Sequence, residues 1–379
     1  MNDLEMHAGL IGASDGRIRL NTPVLVIEEA ALHRNIAAMA AFAQAHGLAL
    51  RPHAKTHKSA DIARLQIAAG AVGVCCAKLG EAEALAEAGG VASILITSPV
   101  VTPPTIARLR VLHDRLSDVR VVADHSDGVA ATAAAMASAA KPLTMFVDVD
   151  PGIHRTGVAS VEAAVALARQ IAAAPSLRFG GVQFYCGMEQ HIEAYADRRA
   201  MVEQRTAFLH EVVAALKAVG LTPETITGGG TGTHRIDAAL SVFTELQAGS
   251  YVFMDRQYLD CDLTGAGVAA FETALLIDSR IVSANTQGMA TIDAGFKSLS
   301  TDGGKPTIVS GAPEGAAYFF MGDEHGAIVA ANTRFDLGAR VVLGAPHCDP
   351  TVNLYDSYHV VRGEELVAIW PVTARGRSR

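Results

Sequence analysis

The segment TMFVDVD (Thr144–Asp150), followed by VEAAVALARQIAA (Val161–Ala173) and FGGVQFY (Phe179–Tyr185), decides the architecture of this chain. A short β-branched run, an Ala-rich stretch of helical character and a second β-branched run form one strand–helix–strand unit, the building block of a parallel sheet. Working outward, further strands are predicted at Leu48–His53, Gly73–Lys78, Ser93–Ser98 and Asp118–Asp124 on one side, and at Glu224–Gly228 and Glu245–Phe253 on the other. Helical stretches such as Glu29–His46, Gly80–Ala88 and Ile192–Val219 separate them. Eight strands in this alternation predict an α/β chain built on a closed (β/α)8 TIM-like barrel, which places its chemistry at the C-terminal ends of the strands.

Beyond residue 260 the texture changes. Thr273–Ser283, Met289–Ala294, Arg340–Leu343 and Leu366–Pro371 read as strands separated by turn residues, with no long helix between them, which predicts a second, mostly β domain. Pro23–Ile27 is one strand too many for the barrel, so the amino terminus is expected to join that second domain. The expected division is a barrel over residues 25–255 and a β-rich domain made of 1–24 plus 256–379.

Composition narrows the function classes. Of 379 residues, 50% are hydrophobic and 18% charged, a balance that excludes disorder. Lys plus Arg number 31 against 39 Asp plus Glu, a net charge of −8 without long basic tracts, which argues against nucleic acid as a partner. The opening MNDLEMHAGL carries acids where a signal peptide carries base. The longest uncharged stretch, Gly89–Ala107, is broken by Pro99, Pro103 and Pro104, so no membrane span is expected. Five cysteines without CxxC spacing fit neither a disulfide framework nor a zinc knuckle, and a reducing cytoplasm is the expected location. A homodimer acting on a small molecule is expected.

Reactive residues gather at the predicted strand ends. The first strand runs into Arg51-Pro52-His53-Ala54-Lys55-Thr56-His57-Lys58. A lysine just past a buried strand can have its pKa lowered by desolvation and neighbouring cations, which suits its amine to a Schiff base with a carbonyl cofactor; a solvated basic loop is the alternative. The seventh strand leads into Gly228-Gly229-Gly230-Thr231-Gly232-Thr233 and the eighth contains Gly249-Ser250-Tyr251. Barrels commonly bind phosphate with the loops after these two strands, because glycine lets backbone N–H groups approach an anion. An Arg in Asp150-Pro151-Gly152-Ile153-His154-Arg155 and a His in Tyr185-Cys186-Gly187-Met188-Glu189-Gln190-His191 could serve as anion or phenolate partner and as general base.

The sharpest short signal is Pro346-His347-Cys348-Asp349-Pro350. Residues before proline favour extended backbone, and alternate residues of an extended chain share a face, so His347 and Asp349 are expected to point together with Cys348 turned away. Imidazole plus carboxylate makes a two-ligand site suited to Mn²⁺ or Mg²⁺, with waters or substrate in the remaining positions; a hydrogen-bonded turn is the alternative.

In combination and order, Arg51–Lys55, Gly152-Ile153-His154-Arg155-Thr156-Gly157-Val158, the Gly228–Gly232 run and Pro346–Pro350 resemble the D-threonine aldolase family, from about Thr22 to Arg375. Glu245-Leu246-Gln247, Gly249-Ser250-Tyr251 and Asp323-Glu324-His325-Gly326 also resemble its 3-hydroxy-D-aspartate aldolases. The resemblance implies an alanine-racemase-like fold, a pyridoxal 5'-phosphate cofactor and a divalent metal. It implies that Lys55 is the Schiff-base lysine, that Arg155 partners the phenolic oxygen, and that Thr231, Gly249, Ser250 and Tyr251 hold the phosphate. Tyr185, Gly232 and Gln247 complete the implied cofactor site, Gln247 standing where alanine racemases carry an arginine toward the pyridine nitrogen.

The implied reaction cleaves D-β-hydroxy-α-amino acids to glycine and an aldehyde, with His191 taking the hydroxyl proton and His347 and Asp349 holding the metal. The related dehydratases carry His-x-Cys where this chain has His-x-Asp. β-Elimination to ammonia and a keto acid is the alternative reaction, and a non-catalytic pyridoxal-phosphate carrier is the alternative role.

Overall fold

The computed structural model describes residues 3–379, so Met1 and Asn2, which open the expected 1–24 segment, lie outside the described residues. The first strand, β1 (Val24–Glu28), precedes eight barrel strands: β2 (Ala49–Leu50), β3 (Val74–Cys76), β4 (Ser93–Ile96), β5 (Asp118–Ala123), β6 (Leu143–Val149), β7 (Leu177–Phe184), β8 (Thr225–Gly228) and β9 (Glu245–Leu246). The eight form one sheet in the order β2-β9-β8-β7-β6-β5-β4-β3, every neighbour parallel. Its two ends meet: Val72 N–H donates to Leu50 O (2.9 Å), Cys75 N–H to Pro52 O (2.8 Å) and Ala54 N–H to Cys75 O (2.8 Å). A barrel strand packs against helices outside and neighbours inside, and β6 is accordingly buried at every position. The helix Val161–Ala173 has the expected bounds, its first turn capped by Ser160 Oγ accepting from Ala163 N–H at 3.1 Å.

The last barrel strand is shorter than expected. β9 stops at Leu246, and Ser250–Val252 forms a 3₁₀ turn where the sequence predicts strand to Phe253. At Gly249 a Cβ would stand 2.8 Å from Thr56 Oγ1 and 2.9 Å from His53 O, so the chain passes the β2 loop as glycine and then turns.

The second half holds β10 (Leu275–Thr286), β11 (Met289–Ile292), β12 (Thr307–Ser310), β13 (Ala317–Phe320), β14 (Gly326–Val329), β15 (Arg340–Gly344), β16 (Ser357–Arg362) and β17 (Glu365–Pro371). They join β1 in a nine-stranded sheet ordered β13-β14-β11-β10-β1-β16-β17, with β15 paired to β10 and β12. β1 sits in the middle, antiparallel to β10 and parallel to β16, so the chain passes to the barrel after Glu28, later than the expected 24/25 boundary. The buried run Val24–Ile27 is covered on both faces, Leu25 and Ile27 packing into one apolar core and Val24 and Val26 into another. Four of these strands carry no clear sequence signal. β12, β13 and β14 are only four residues long, among turn glycines and Pro313, and β16 is buried on both faces and shows no alternation. Among the described residues no helix is long and apolar enough to cross a membrane.

Beside two smaller apolar clusters, the described residues form two large cores. One lies between the barrel strands and their helices. The other joins the helix Glu29–Ala45, the turn after β9 and the inner face of the nine-stranded sheet. The second core locks the β-rich half over the C-terminal mouth of the barrel.

Candidate active site

A cavity of about 600 Å³ opens at that mouth. Every barrel strand or the loop after it contributes to the wall: His53 and Lys55 after β2, Lys78 after β3, Thr97 after β4, Asp124 after β5, Arg155 after β6, Gln183 and Tyr185 from the end of β7, Gly230 and Thr231 after β8, and Gln247, Gly249 and Ser250 after β9. Tyr258, from the connection to the second half, completes it.

Of the two lysines in the β2 loop, only Lys55 faces this space. Its Nζ lies 2.6 Å from Asp349 Oδ2, with 38% of the side chain exposed. Lys58 is 7% exposed and paired with the buried Glu81, whose other oxygen accepts the N–H groups of Ala77 (2.8 Å) and Lys78 (3.2 Å). Breaking such a buried pair costs about 3–5 kcal/mol, so Lys58 is held away from chemistry. The negative charge of Asp349 raises the pKa of Lys55 against the effect of burial. Burial works against the Asp349 carboxylate in turn, but Lys55 and His347 hold its pKa well below the usual range.

At the far end the loops after β8 and β9 come together. A Cβ on Gly230 would stand 2.4 Å from Gln190 Oε1, which leaves room there only for backbone. Thr231 and Ser250 flank it, and Thr231 Oγ1 accepts the Tyr251 N–H at 3.0 Å. Two residues expected to bind the cofactor stand behind the wall. Gly232 donates its N–H to Gln190 Oε1 (2.9 Å). Tyr251 is fully buried in the second core, its hydroxyl accepting from Gln66 Nε2 at 3.0 Å, because the 3₁₀ turn rotates its ring inward. The small cradle of glycine and hydroxyl groups opposite a lysine fits pyridoxal phosphate, whose phosphate and aldehyde lie at different edges of one ring.

Arg155 leaves a loop organised by Asp150, which accepts the N–H groups of Gly152 (2.9 Å), Ile153 (2.9 Å) and His154 (3.1 Å). Its guanidinium carbon lies 5.5 Å over the ring of Tyr185. Burial raises the pKa of that phenol and keeps it neutral. Gln247 donates to Gln183 Oε1 (3.2 Å) and Thr227 Oγ1 (3.0 Å).

The metal motif folds differently from expectation. Cys348–Val352 is a helical turn entered through the extended His347. Pro350 is its third residue, where a missing N–H costs nothing because first-turn N–H groups have no intrahelical acceptor. Cys348 is buried and its N–H donates to Asp255 Oδ2 at 2.8 Å. His347 and Asp349 remain electrostatic neighbours. His347 Nδ1 is 2.7 Å from Asp302 Oδ2, the carboxylate partner that metal-binding imidazoles usually have. Asp349 Oδ1 is buried without a hydrogen-bond partner. This donor set fits a divalent cation, and among the described residues no group of three His, Cys, Asp or Glu is gathered for one.

His191 stands outside the cavity wall, exposed at its rim, with its ring centroid 4.5 Å from that of Tyr258. Partial burial and the neighbouring His347 and Lys55 lower its pKa to about 4. Sequence reasoning missed His53, Asp302 and Tyr258. His53 is buried and kept neutral by burial and by Lys55, its Nε2 3.1 Å from Thr97 Oγ1. Its place two residues before Lys55 at a strand end was the available signal; Asp302 and Tyr258 had none, since Asp302 reaches the site from a loop of the second half and Tyr258 from the short helical turn Arg256–Leu259.

A parallel barrel with an accessible lysine and a cradle of glycine and hydroxyl groups at its mouth, roofed by a β-rich half, defines the class of alanine-racemase-like, fold type III pyridoxal-phosphate enzymes. The chain belongs to the alanine racemase N-terminal domain family, which matches residues 27–257. Within it the chain stands with the D-threonine and 3-hydroxy-D-aspartate aldolases. It is 39% identical over 367 residues to a D-threonine aldolase of Arthrobacter sp, covering 96% of this chain and 95% of that one. A 3-hydroxy-D-aspartate aldolase of Paracoccus denitrificans (strain Pd 1222) is 38% identical over 363 residues, covering 95% and 93%. The crystal structure of D-threonine aldolase from Filomicrobium marinum superposes with a TM-score of 0.90 at 36% identity, covering 96% and 97%. A D-threo-3-hydroxyaspartate dehydratase from Delftia sp. (strain HT23) is more distant, at 28% identity over 94% of this chain and 98% of that one.

Proposed function

We propose that this chain is a pyridoxal-phosphate- and divalent-metal-dependent aldolase that cleaves D-β-hydroxy-α-amino acids, of the D-threonine or D-3-hydroxyaspartate type, to glycine and an aldehyde. The observation that carries the reading is the 2.6 Å contact between Lys55 and Asp349. It brings the cofactor lysine of the barrel against the metal turn of the β-rich half.

Bound pyridoxal phosphate supplies an electron sink for the breaking Cα–Cβ bond, and a Mn²⁺ or Mg²⁺ ion on His347 and Asp349 would polarise the β-hydroxyl. Lys55 is the residue that would hold the cofactor aldehyde, beside the Asp349 carboxylate that would hold the cation. Arg155 neutralises the phenolic oxygen, while Thr231, Gly249 and Ser250 grip the phosphate. His191, neutral at physiological pH, receives the hydroxyl proton at its ring nitrogen. Tyr258 packs against His191 and fixes the ring at the mouth. The reading assigns cofactor binding to the barrel and metal binding to the β-rich half, and extends to a cytoplasmic homodimer whose five cysteines are free and buried.

The test is product analysis after incubating the protein, loaded with pyridoxal phosphate and Mn²⁺, with D-threonine, L-threonine and D-3-hydroxyaspartate. Aldehyde and glycine from the D-substrates support the proposal. Ammonia and a keto acid would instead establish elimination.

A further inference from the structure

The floor of the cavity carries a hydrogen-bond polarity that two independent chains of buried groups impose on Gln247. The first runs through Gln183, whose Nε2 donates to the backbone carbonyl of Thr97 (3.1 Å) and to Asp148 Oδ1 (2.9 Å). A backbone carbonyl only accepts, so the amide of Gln183 has one orientation, with Oε1 turned to Gln247. The second runs through Thr227, whose hydroxyl donates to Glu245 Oε1 (2.9 Å). Glu245 is in turn ion-paired with Arg51 at 3.0 Å and can only accept. Thr227 Oγ1 therefore receives a proton from its other neighbour, which is Gln247 Nε2 at 3.0 Å. Both hydrogens of the Gln247 amide are thereby committed, at 3.2 and 3.0 Å, inside a region where Gln183, Thr227, Glu245 and Gln247 are at most 4% exposed.

We infer that Gln247 offers the cofactor a carbonyl oxygen and no donor, so that the pyridoxal-phosphate ring meets it through a protonated ring nitrogen. The inference rests on the proposed cofactor. Of the polar edges of pyridoxal phosphate, the phosphate and the ionised phenolic oxygen accept hydrogen bonds, whereas the ring nitrogen donates once it carries a proton. An unprotonated nitrogen against Gln247 Oε1 would set two lone pairs face to face in a buried site. A protonated ring draws electrons more strongly and suits cleavage of a carbon–carbon bond at the bound substrate. Gln183 and Thr227 are positioning residues in this scheme: they touch Gln247 and fix which end of its amide is presented.

The experiment loads the protein with pyridoxal phosphate labelled with ¹⁵N in the ring and reads the ring-nitrogen chemical shift at neutral pH, with visible absorbance confirming that cofactor is bound. The expected result is a pyridinium-type shift in the wild-type holoenzyme and a pyridine-type shift in Gln247→Arg, which offers only donors. The double variant Gln183→Leu/Thr227→Val releases both chains and should lose the uniform pyridinium signal; its retention would overturn the positioning role. A pyridine-type shift in wild-type holoenzyme overturns the inference while leaving the proposed function standing. Failure of the wild-type protein to retain cofactor would overturn the proposed function and this inference with it.

Discussion

The two ends of the cavity are built on opposite plans. At the phosphate end each contact stays within the barrel: Gly230 N–H donates to Thr233 Oγ1 (3.1 Å), Gly232 N–H to Gln190 Oε1 (2.9 Å) and Tyr251 N–H to Thr231 Oγ1 (3.0 Å). The metal end has no such self-sufficiency. The turn at Cys348 is anchored on Asp255 (2.8 Å), His347 N–H on Ser300 Oγ (3.2 Å), the His347 ring on Asp302 (2.7 Å) and the Asp349 carboxylate on Lys55 (2.6 Å). The proposed cofactor grip is thus a property of one packed unit, whereas the proposed metal grip depends on two halves being docked. It follows that the ends should fail separately.

The largest effect is expected from Lys55, the one residue that serves both ends. Lys55→Ala should abolish turnover and the visible absorbance of covalently bound cofactor. Borohydride reduction of the wild type followed by peptide mapping should mark Lys55; a label on Lys58 instead would break the assignment, since Lys58 is buried against Glu81.

Asp349→Ala tests the metal end alone. Mn²⁺-dependent turnover should disappear while cofactor absorbance persists, and EDTA should mimic the variant reversibly, as expected for an ion with few protein ligands. Cys348→Ala should leave both properties near normal, because that side chain is buried away from the cavity. Equal losses from the two variants would show that the turn matters only as a fold element.

A smaller loss is expected at the rim. His191→Phe should lower turnover by roughly 10²-fold with cofactor still bound, as for removal of a positioned general base. Because its pKa is lowered to about 4, the imidazole is neutral and able to accept a proton above that pH. The acid limb of kcat/KM attributable to His191 should therefore fall near pH 4, below the ordinary histidine range, and vanish in His191→Phe. A limb that persists unchanged in the variant would remove His191 from the proton transfer.

How much of this could be read from the chain alone differs by residue. The strand–helix alternation around Thr144–Tyr185 sufficed for the barrel, because side-chain period is a local property that survives into the fold. The positions of Lys55, Arg155, Thr231, Gly249 and Ser250 followed from it, since strand ends in such a barrel converge on one mouth, while Gln247 was implied by the family resemblance alone. Which way each side chain points did not follow. Gly232 and Tyr251 have the right neighbours in sequence, yet Gly232 is packed against Gln190, which accepts its N–H, and the 3₁₀ turn after the shortened β9 carries the Tyr251 ring into the second core. The extended backbone expected at His347–Asp349 gave way to a helical turn once Asp255, 93 residues away, supplied the acceptor for Cys348 N–H.

By itself, then, the amino-acid sequence determined the barrel, the composition of its mouth and the presence of a His-x-Asp motif, all of which depend on local periodicity and turn chemistry. Only the tertiary structure decided that Lys55 rather than Lys58 is the accessible amine, that β1 runs between β10 and β16, and that Asp302 and Tyr258 reach the site. These outcomes rest on contacts such as Lys55 with Asp349, 294 residues apart, and Lys58 with Glu81. No local window contains such pairs. They form because burial forces each charged or polar group to find a partner wherever packing of the two halves places one.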